Sequence, residues 1–174
     1  MHAILLTGAP GAGKTTLAEA LAARGLTVVA ESARAVIRSR LARGLPPRPP
    51  PEQFARQVLQ LDIGNYAAKA RETGVVVFDR GVLDSVGMLH AAAPLPPEEL
   101  DQIVATHRYD LVFLFPAWEA IYCNDGERDQ SFAQAQGVEA EMRRWVRRCG
   151  AEPIEVPLLP VEGRCAFVLQ RLLA

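Results

Sequence analysis

Gly8-Ala9-Pro10-Gly11-Ala12-Gly13-Lys14-Thr15 is the stretch from which the rest of the chain is best read. His2 to Thr7 lead into it as a short apolar run, and after it Leu17, Leu21 and Arg24 recur at helical spacing until Gly25. Strand, glycine-rich turn and helix form the context in which G-x-x-x-x-G-K-[ST] cradles phosphate. Glycines 8, 11 and 13 allow successive backbone amides to face one anion, and the helix opening near Lys14 adds its positive end. Lys14 is placed to reach the β- and γ-phosphates of a triphosphate and the Thr15 hydroxyl to meet Mg²⁺, while Thr16 closes the nucleotide-binding run from Gly8. ATP or GTP with Mg²⁺ is the ligand this loop implies.

Outward from the loop, strands and helices alternate. Leu26 to Ala30 reads as a second buried strand, followed by a helix with Ala33, Val36, Ile37 and Leu41 on its apolar stripe and Gly44 at its end. Five prolines between Leu45 and Pro51 exclude both helix interior and sheet, so 45–51 is a surface loop. Phe54, Val58 and Leu61 mark a long helix from Glu52 to Thr73, with Pro51 at its start and Gly74 past its end. Gly74 to Phe78 is a third strand that runs into Asp79, and Asp110 to Phe115 a fourth, with short helices over Val82–His90 and Pro97–Thr106 between them. A helix bearing Val138, Met142, Trp145 and Cys149 on one face, a weak strand at Glu152–Val156 and a helix over Val161–Leu173 follow. Continuously apolar strands separated by helices imply a mostly parallel sheet covered on both faces, with its site at the carboxyl ends of the strands, near Thr7, Ala30, Asp79 and Phe115.

The 174 residues, 49% of them apolar, suit one domain spanning 1–174. A formal net charge of −1 gives nucleic acid and anionic membranes no global attraction. Cys123, Cys149 and Cys165 are widely spaced and match neither a zinc site nor a disulfide scaffold, which points to buried thiols in a reducing compartment. With no apolar run near the roughly 20 residues a membrane span needs, the expected location is cytoplasmic.

Five side chains outside the loop carry candidate chemistry. Four apolar residues running into Asp79 have the form of a Walker-B strand whose acid stands on the metal side, although an aspartate here also suits a helix cap. Arg80 can take a substrate anion or pair with a carboxylate. Glu31 follows the second strand, with Arg34 one turn on; the two suit a hydroxyl nucleophile and a neighbouring anion, or an ordinary ion pair. Asn124 to Asp129 form a polar, turn-rich part of a lid-like insertion, 123–134, and Arg128 is its candidate for covering a transferring phosphoryl group. His2, His90 and His107 are isolated and read as structural or surface residues.

Gly8 to Thr16, Glu31-Ser32-Ala33-Arg34, Phe78-Asp79-Arg80-Gly81, Phe115-Pro116-Ala117-Trp118-Glu119, and Asn124-Asp125 with Arg128 together resemble the AAA-domain family of small P-loop ATPase/kinase-like proteins. The group is similar to the ribosylnicotinamide kinase domain of bacterial NadR and to the TRP-translocation-defect proteins. The resemblance implies a three-layer α/β sandwich of kinase type with strand order 2-3-1-4-5, and ATP or GTP with Mg²⁺. By motif position it implies phosphate and metal contacts at Lys14 and Thr15, a Walker-B acid at Asp79, substrate-side groups at Glu31 and Arg34, and a lid arginine at Arg128. Nicotinamide riboside is one candidate acceptor among several.

Two functions from different classes are compatible with these residues. In the first, the γ-phosphoryl of ATP passes to a hydroxyl of a small, nucleoside-like metabolite, which Glu31 or Asp79 orients or deprotonates. In the second, bound nucleotide sets the lid and proline loop of a regulatory module, and slow hydrolysis resets it. A Ras-type GTPase is disfavoured because Asn65 and Asn124 are the only asparagines and neither lies in N-K-x-D.

Overall fold

A computed structural model describes residues 1–122 and 131–173. Its strands are β1 (His2–Gly8), β2 (Thr27–Val29), β3 (Val75–Asp79), β4 (Leu111–Phe115) and β5 (Ile154–Glu155). They lie in the order β2-β3-β1-β4-β5, and every pairing is parallel. Helices α1 (Lys14–Ala22), α2 (Ser32–Ala42), α3 (Pro51–Lys69), α4 (Val82–Ala92), α5 (Pro97–Thr106), α6 (Phe132–Arg148) and α7 (Val161–Leu172) cover both faces.

Burial on both faces, with side chains alternating every two residues, explains why the middle of β1, Ala3 to Leu6, is continuously apolar. Ile4 and Leu6 pack with Leu17, Leu21, Phe113 and Val168 on the α1/α7 side, whereas Ala3 and Leu5 pack with Val76, Phe78, Val112 and Val146 on the other. Fully burying each such aliphatic side chain contributes about 1.5–3 kcal/mol. A third cluster, with Ala55 and Leu59 of α3 against Val82, Val86 and Leu89 of α4, extends beyond the sheet and fixes the two helices that later form one wall of the site.

Several elements depart from the sequence reading, each for a physical reason. The second strand is three residues long and only half-buried, because it is the sheet edge and has a partner on one side only. Leu41 and Leu61, expected inward, are 55% and 36% exposed; α2 and α3 bury narrower stripes, Val36–Ile37 and Ala55–Val58–Leu59–Asp62. α3 starts at Pro51, whose missing N–H costs nothing in the first turn, and ends at Lys69, short of the expected Thr73. On α6, Ala135 and Val146 are buried while Val138, Met142, Trp145 and Cys149 are half-buried, so the expected apolar face only partly enters the core. Cys165 is buried and Cys149 half-buried. Among the described residues no helix is long and apolar enough to cross a membrane.

Candidate nucleotide and acceptor site

The carboxyl ends of β1, β3 and β4 meet in register, Leu6 opposite Asp79 and Gly8 opposite Phe115, which brings three loops to one edge. The β1–α1 loop turns there on glycines. Gly8 has φ 115°, and a Cβ on it would lie 2.4 Å from the Phe115 carbonyl oxygen, so both backbone conformation and space require glycine. Gly13, the left-handed N-cap of α1, has φ 78° and a guanidinium nitrogen of Arg164 only 2.6 Å from where its Cβ would be.

Lys14 is buried, and its Nζ donates to the Ala9 carbonyl at 2.6 Å and to Gly8 at 3.4 Å. Burial, with Arg80 as a second cause, lowers its pKa from 10.5 to about 7. The Thr15 hydroxyl donates to Asp79 Oδ2 at 2.7 Å, while Asp79 Oδ1 is buried and has no hydrogen-bond partner among the described residues. Burial raises the Asp79 pKa against the opposing hydrogen bond from Thr15. Asp79 does not cap α4, whose N-cap is Gly81.

Arg80 sits at φ 61°, a left-handed conformation uncommon for a residue with a side chain. That turn directs its guanidinium inward, to Asp84 at 2.9 Å, the Gly8 carbonyl at 3.3 Å and Glu31 at 3.5 Å. Of the two partners the sequence allowed it, the structure places carboxylates. Glu31 also accepts from Arg34 at 3.0 Å, so the ordinary ion pair exists, within a larger network. Burial works against the charge on Glu31, yet Arg80, Lys14 and Arg34 prevail and its pKa is lowered.

Lys14, Thr15, Glu31, Arg34, Arg80 and Asp84 line one cavity of about 990 Å³. The loop from Pro10 to Thr16 lines one part; Phe54, Val58, Met88, Met142 and Trp145 supply an apolar part. Trp145 is held in place by a hydrogen bond from Nε1 to the Leu83 carbonyl at 2.8 Å, and its ring lies 5.6 Å from that of His90. The half-buried face of α6 is thus a cavity wall.

Lys14, Thr15, Glu31, Arg34, Asp79 and Arg80 are therefore brought together, with Gly8, Ala9, Gly11, Ala12 and Thr16 in the loop around them. Arg128 and the first eight residues of the lid-like insertion, 123–130, lie outside the described residues; Ser131 caps α6, whose first turn takes up 132–134. Three residues escaped the sequence reading. Asp84 is four positions after Arg80 and accepts from the Thr7 hydroxyl at 2.6 Å; that spacing was a usable signal. Asp62 interrupts the apolar face of α3, one turn after Val58. Arg164, only 5% exposed, donates to the Ala12 carbonyl at 3.1 Å and lies 5.6 Å over the Trp118 ring; nothing in its surroundings on α7 distinguished it.

The sheet order and the phosphate loop define a P-loop protein of kinase type. Residues 3–164 match the AAA domain family, and the chain belongs to it. Among solved structures, NadR protein in complex with NR is similar at a TM-score of 0.69 and 19% identity, covering 98% of this chain and 50% of that one. This chain thus spans about half the length of that NadR chain. Deoxyadenosine kinase from M. mycoides with bound dATP is similar along its full length, with 99% of this chain and 100% of that chain covered, a TM-score of 0.61 and 11% identity. These likenesses establish the fold. No curated protein sequence matches the chain.

Proposed function

We propose that the protein is a small-molecule kinase that transfers the γ-phosphoryl of ATP, or of GTP, to a hydroxyl of a nucleoside-like acceptor. The observation that carries this reading is the single cavity of about 990 Å³ in which the phosphate loop, the Glu31–Arg80–Asp84 network and an apolar chamber are contiguous. A hydrolase needs room only for water beside the triphosphate, whereas this chamber offers an organic acceptor a wall of its own. Two similar structures, a deoxyadenosine kinase with dATP and NadR with NR, support a nucleotide and a small partner in one fold.

In this reading the loop amides and Lys14 hold the phosphates. Thr15 and Asp79 would hold Mg²⁺: both offer hard oxygen donors, and the unpartnered Asp79 Oδ1 is an oxygen still in need of a cation or a donor. When bound, Mg²⁺ would neutralise charge on the phosphate oxygens. Glu31, kept ionised by Arg80, Lys14 and Arg34, orients the acceptor hydroxyl and receives its proton. Arg34 and Arg80 fix Glu31 and present positive charge to the acceptor side, and Arg128 supplies the lid cation. The chain acts as one domain, 1–174, in the cytoplasm.

A metabolite pool incubated with the protein and Mg²⁺-ATP or Mg²⁺-GTP, then analysed by mass spectrometry, is expected to yield a product heavier by one phosphoryl group and absent with Lys14→Ala. Nucleotide hydrolysis with no phosphorylated product would favour the regulatory module instead.

A further inference from the structure

The cavity that holds the apolar chamber is also lined by a polar group that the phosphoryl-transfer reading does not use. Asp62 is 6% exposed, lies on α3 one turn beyond Val58 and lines the cavity. We propose that Asp62, together with Ser32 and Ser85, reads an N–H donor on a planar heteroaromatic acceptor lying against Phe54, Met88 and Trp145. This inference rests on the kinase reading and names the part of the acceptor remote from its hydroxyl.

Hydrogen-bond accounting carries the argument. Ser32 and Ser85 are within hydrogen-bonding reach of the Asp62 carboxyl. Ser32 Oγ accepts from Asn65 Nδ2 at 3.2 Å, which leaves its one hydrogen for Asp62. The single hydrogen of Ser85 is shared between Asp62 and backbone carbonyls of its own turn, Gly81 at 3.2 Å and Val82 at 3.4 Å. Among the described residues a carboxylate with about four lone-pair sites thus meets two hydroxyl donors, one of them shared, and keeps acceptor capacity for a ligand. The charged groups that act on it most, Asp84 and Glu31, carry the same sign, and its pKa rises to about 6, chiefly through burial. Asp84, lining the same cavity at 8% exposure, has an Oδ2 with no partner among the described residues. Two buried carboxylates with acceptor capacity left open, both lining one cavity, are costly to maintain unless a ligand completes them.

The walls indicate what shape of ligand brings the donor. Trp145 cannot swing freely, because its Nε1 is bonded to Leu83 and a Cβ on Gly87 would lie 2.7 Å from that nitrogen. A fixed indole beside Met88 and Phe54 favours a flat ring by stacking and sulfur–aromatic contact. An amino or amide N–H on the ring edge then reaches Asp62, and a ring with only acceptors on that edge leaves it bare.

The test compares ligands as well as variants. Adenosine and cytidine are measured against purine riboside and 2-pyrimidinone riboside, which lack the exocyclic amino group, by calorimetric binding with AMP-PNP and by transfer from Mg²⁺-ATP. The wild-type protein is expected to favour the amino nucleosides by about 10–100-fold, the worth of one buried hydrogen bond to a charged or otherwise unsatisfied group. Asp62→Leu, of similar size and without acceptors, should bring that ratio close to one. Efficient transfer that ignores the amino group overturns the inference and leaves the kinase reading intact, as does a wild-type preference that survives Asp62→Leu. Selective binding lost in Asp62→Leu but with no transfer to either class supports the inference and overturns the kinase reading. No binding and no transfer with all four nucleosides overturns the inference, while the metabolite-pool result judges the kinase reading separately. The wild-type comparison stands even if the variant does not fold.

Discussion

Burial lifts the Asp62 carboxyl from 3.8 to about 6, with Asp84 and Glu31 adding like charge and the Ser32 and Ser85 hydroxyls opposing the rise. Between those values the folded chain binds more protons than the unfolded one, so stability is present in full below about pH 4 and is lost as pH rises through 6. Two pKa units correspond to roughly 3 kcal/mol. Asp62→Asn, neutral at every pH, is expected to exceed the wild type in stability by up to about 3 kcal/mol at pH 7.5 and to match it at pH 4; urea melts at the two pH values read the difference. A gap of equal size at both would mean that the carboxyl is not titrating there. The two acids nearer the phosphates should separate by role. Glu31→Gln is expected to leave Mg²⁺-nucleotide affinity nearly intact and to lower transfer by 10²-fold or more, as for the loss of a general base, whereas Asp79→Asn weakens Mg²⁺ dependence and nucleotide binding together. Transfer reduced less than about tenfold in Glu31→Gln would return that residue to the rank of an ion pair with Arg34, and Asp79→Asn with binding unchanged and transfer abolished would exchange the two roles. The loop, Glu31 and Asp79 were legible in the sequence because their signals are local: a fixed spacing, or an acid at the end of an apolar run. Asp62 and Arg164 were not, because their meaning depends on which helix α3 and α7 face, information that no window of a few residues contains.

Helix α4 meets α6 through a glycine, and that contact makes an element-level test. A Cβ on Gly87 would stand 2.7 Å from Trp145 Nε1, whose hydrogen bond to Leu83 resists displacement. Gly87→Ala is therefore expected to lose about 1–3 kcal/mol to overpacking, less any gain in helix propensity, and to disturb Trp145 fluorescence. Gly64 in α3 and Gly137 in α6 have ordinary backbone conformations and open space where a Cβ would go. Alanine at either should stabilise by about 0.5–1 kcal/mol, the helix-propensity difference, so denaturation midpoints of the three variants should move in opposite directions. Losses at Gly64 and Gly137 as large as at Gly87 would count against the contact as the cause. Element order was readable from alternating apolar runs and helical stripes. Strand order was not: adjacency of β3 and β1 is a property of the whole sheet, and it entered the sequence reading only through family resemblance. The half-buried stripe on α6 looked like core because an apolar cavity wall and a protein interior are built from the same side chains.

At the scale of the molecule, ligand occupancy and fold stability are linked. Nucleotide at 100 times its dissociation constant stabilises the folded form by about 2.7 kcal/mol, which for a chain of this size is roughly 5–11 °C in Tm. Mg²⁺-ATP or Mg²⁺-GTP is expected to produce such a rise in a thermal melt, chelation of Mg²⁺ to shrink it, and Lys14→Ala to remove most of it; an unchanged Tm across a wide range of nucleotide concentration would contradict a triphosphate site. The clasp between the phosphate loop and α7 bears on a different matter, the history of the chain during synthesis. Ala12 and Arg164 are separated by 152 positions. At about 5–20 residues per second, a ribosome adds the arginine roughly 8–30 s after the loop has been made. β1 waits as well, since its neighbours on both sides, Val75–Asp79 and Leu111–Phe115, arrive later. A nascent chain halted before α7 would hold every glycine of the loop and lack the guanidinium packed against Gly13, so the ability to retain nucleotide should emerge late and abruptly during translation, rather than growing in step with length.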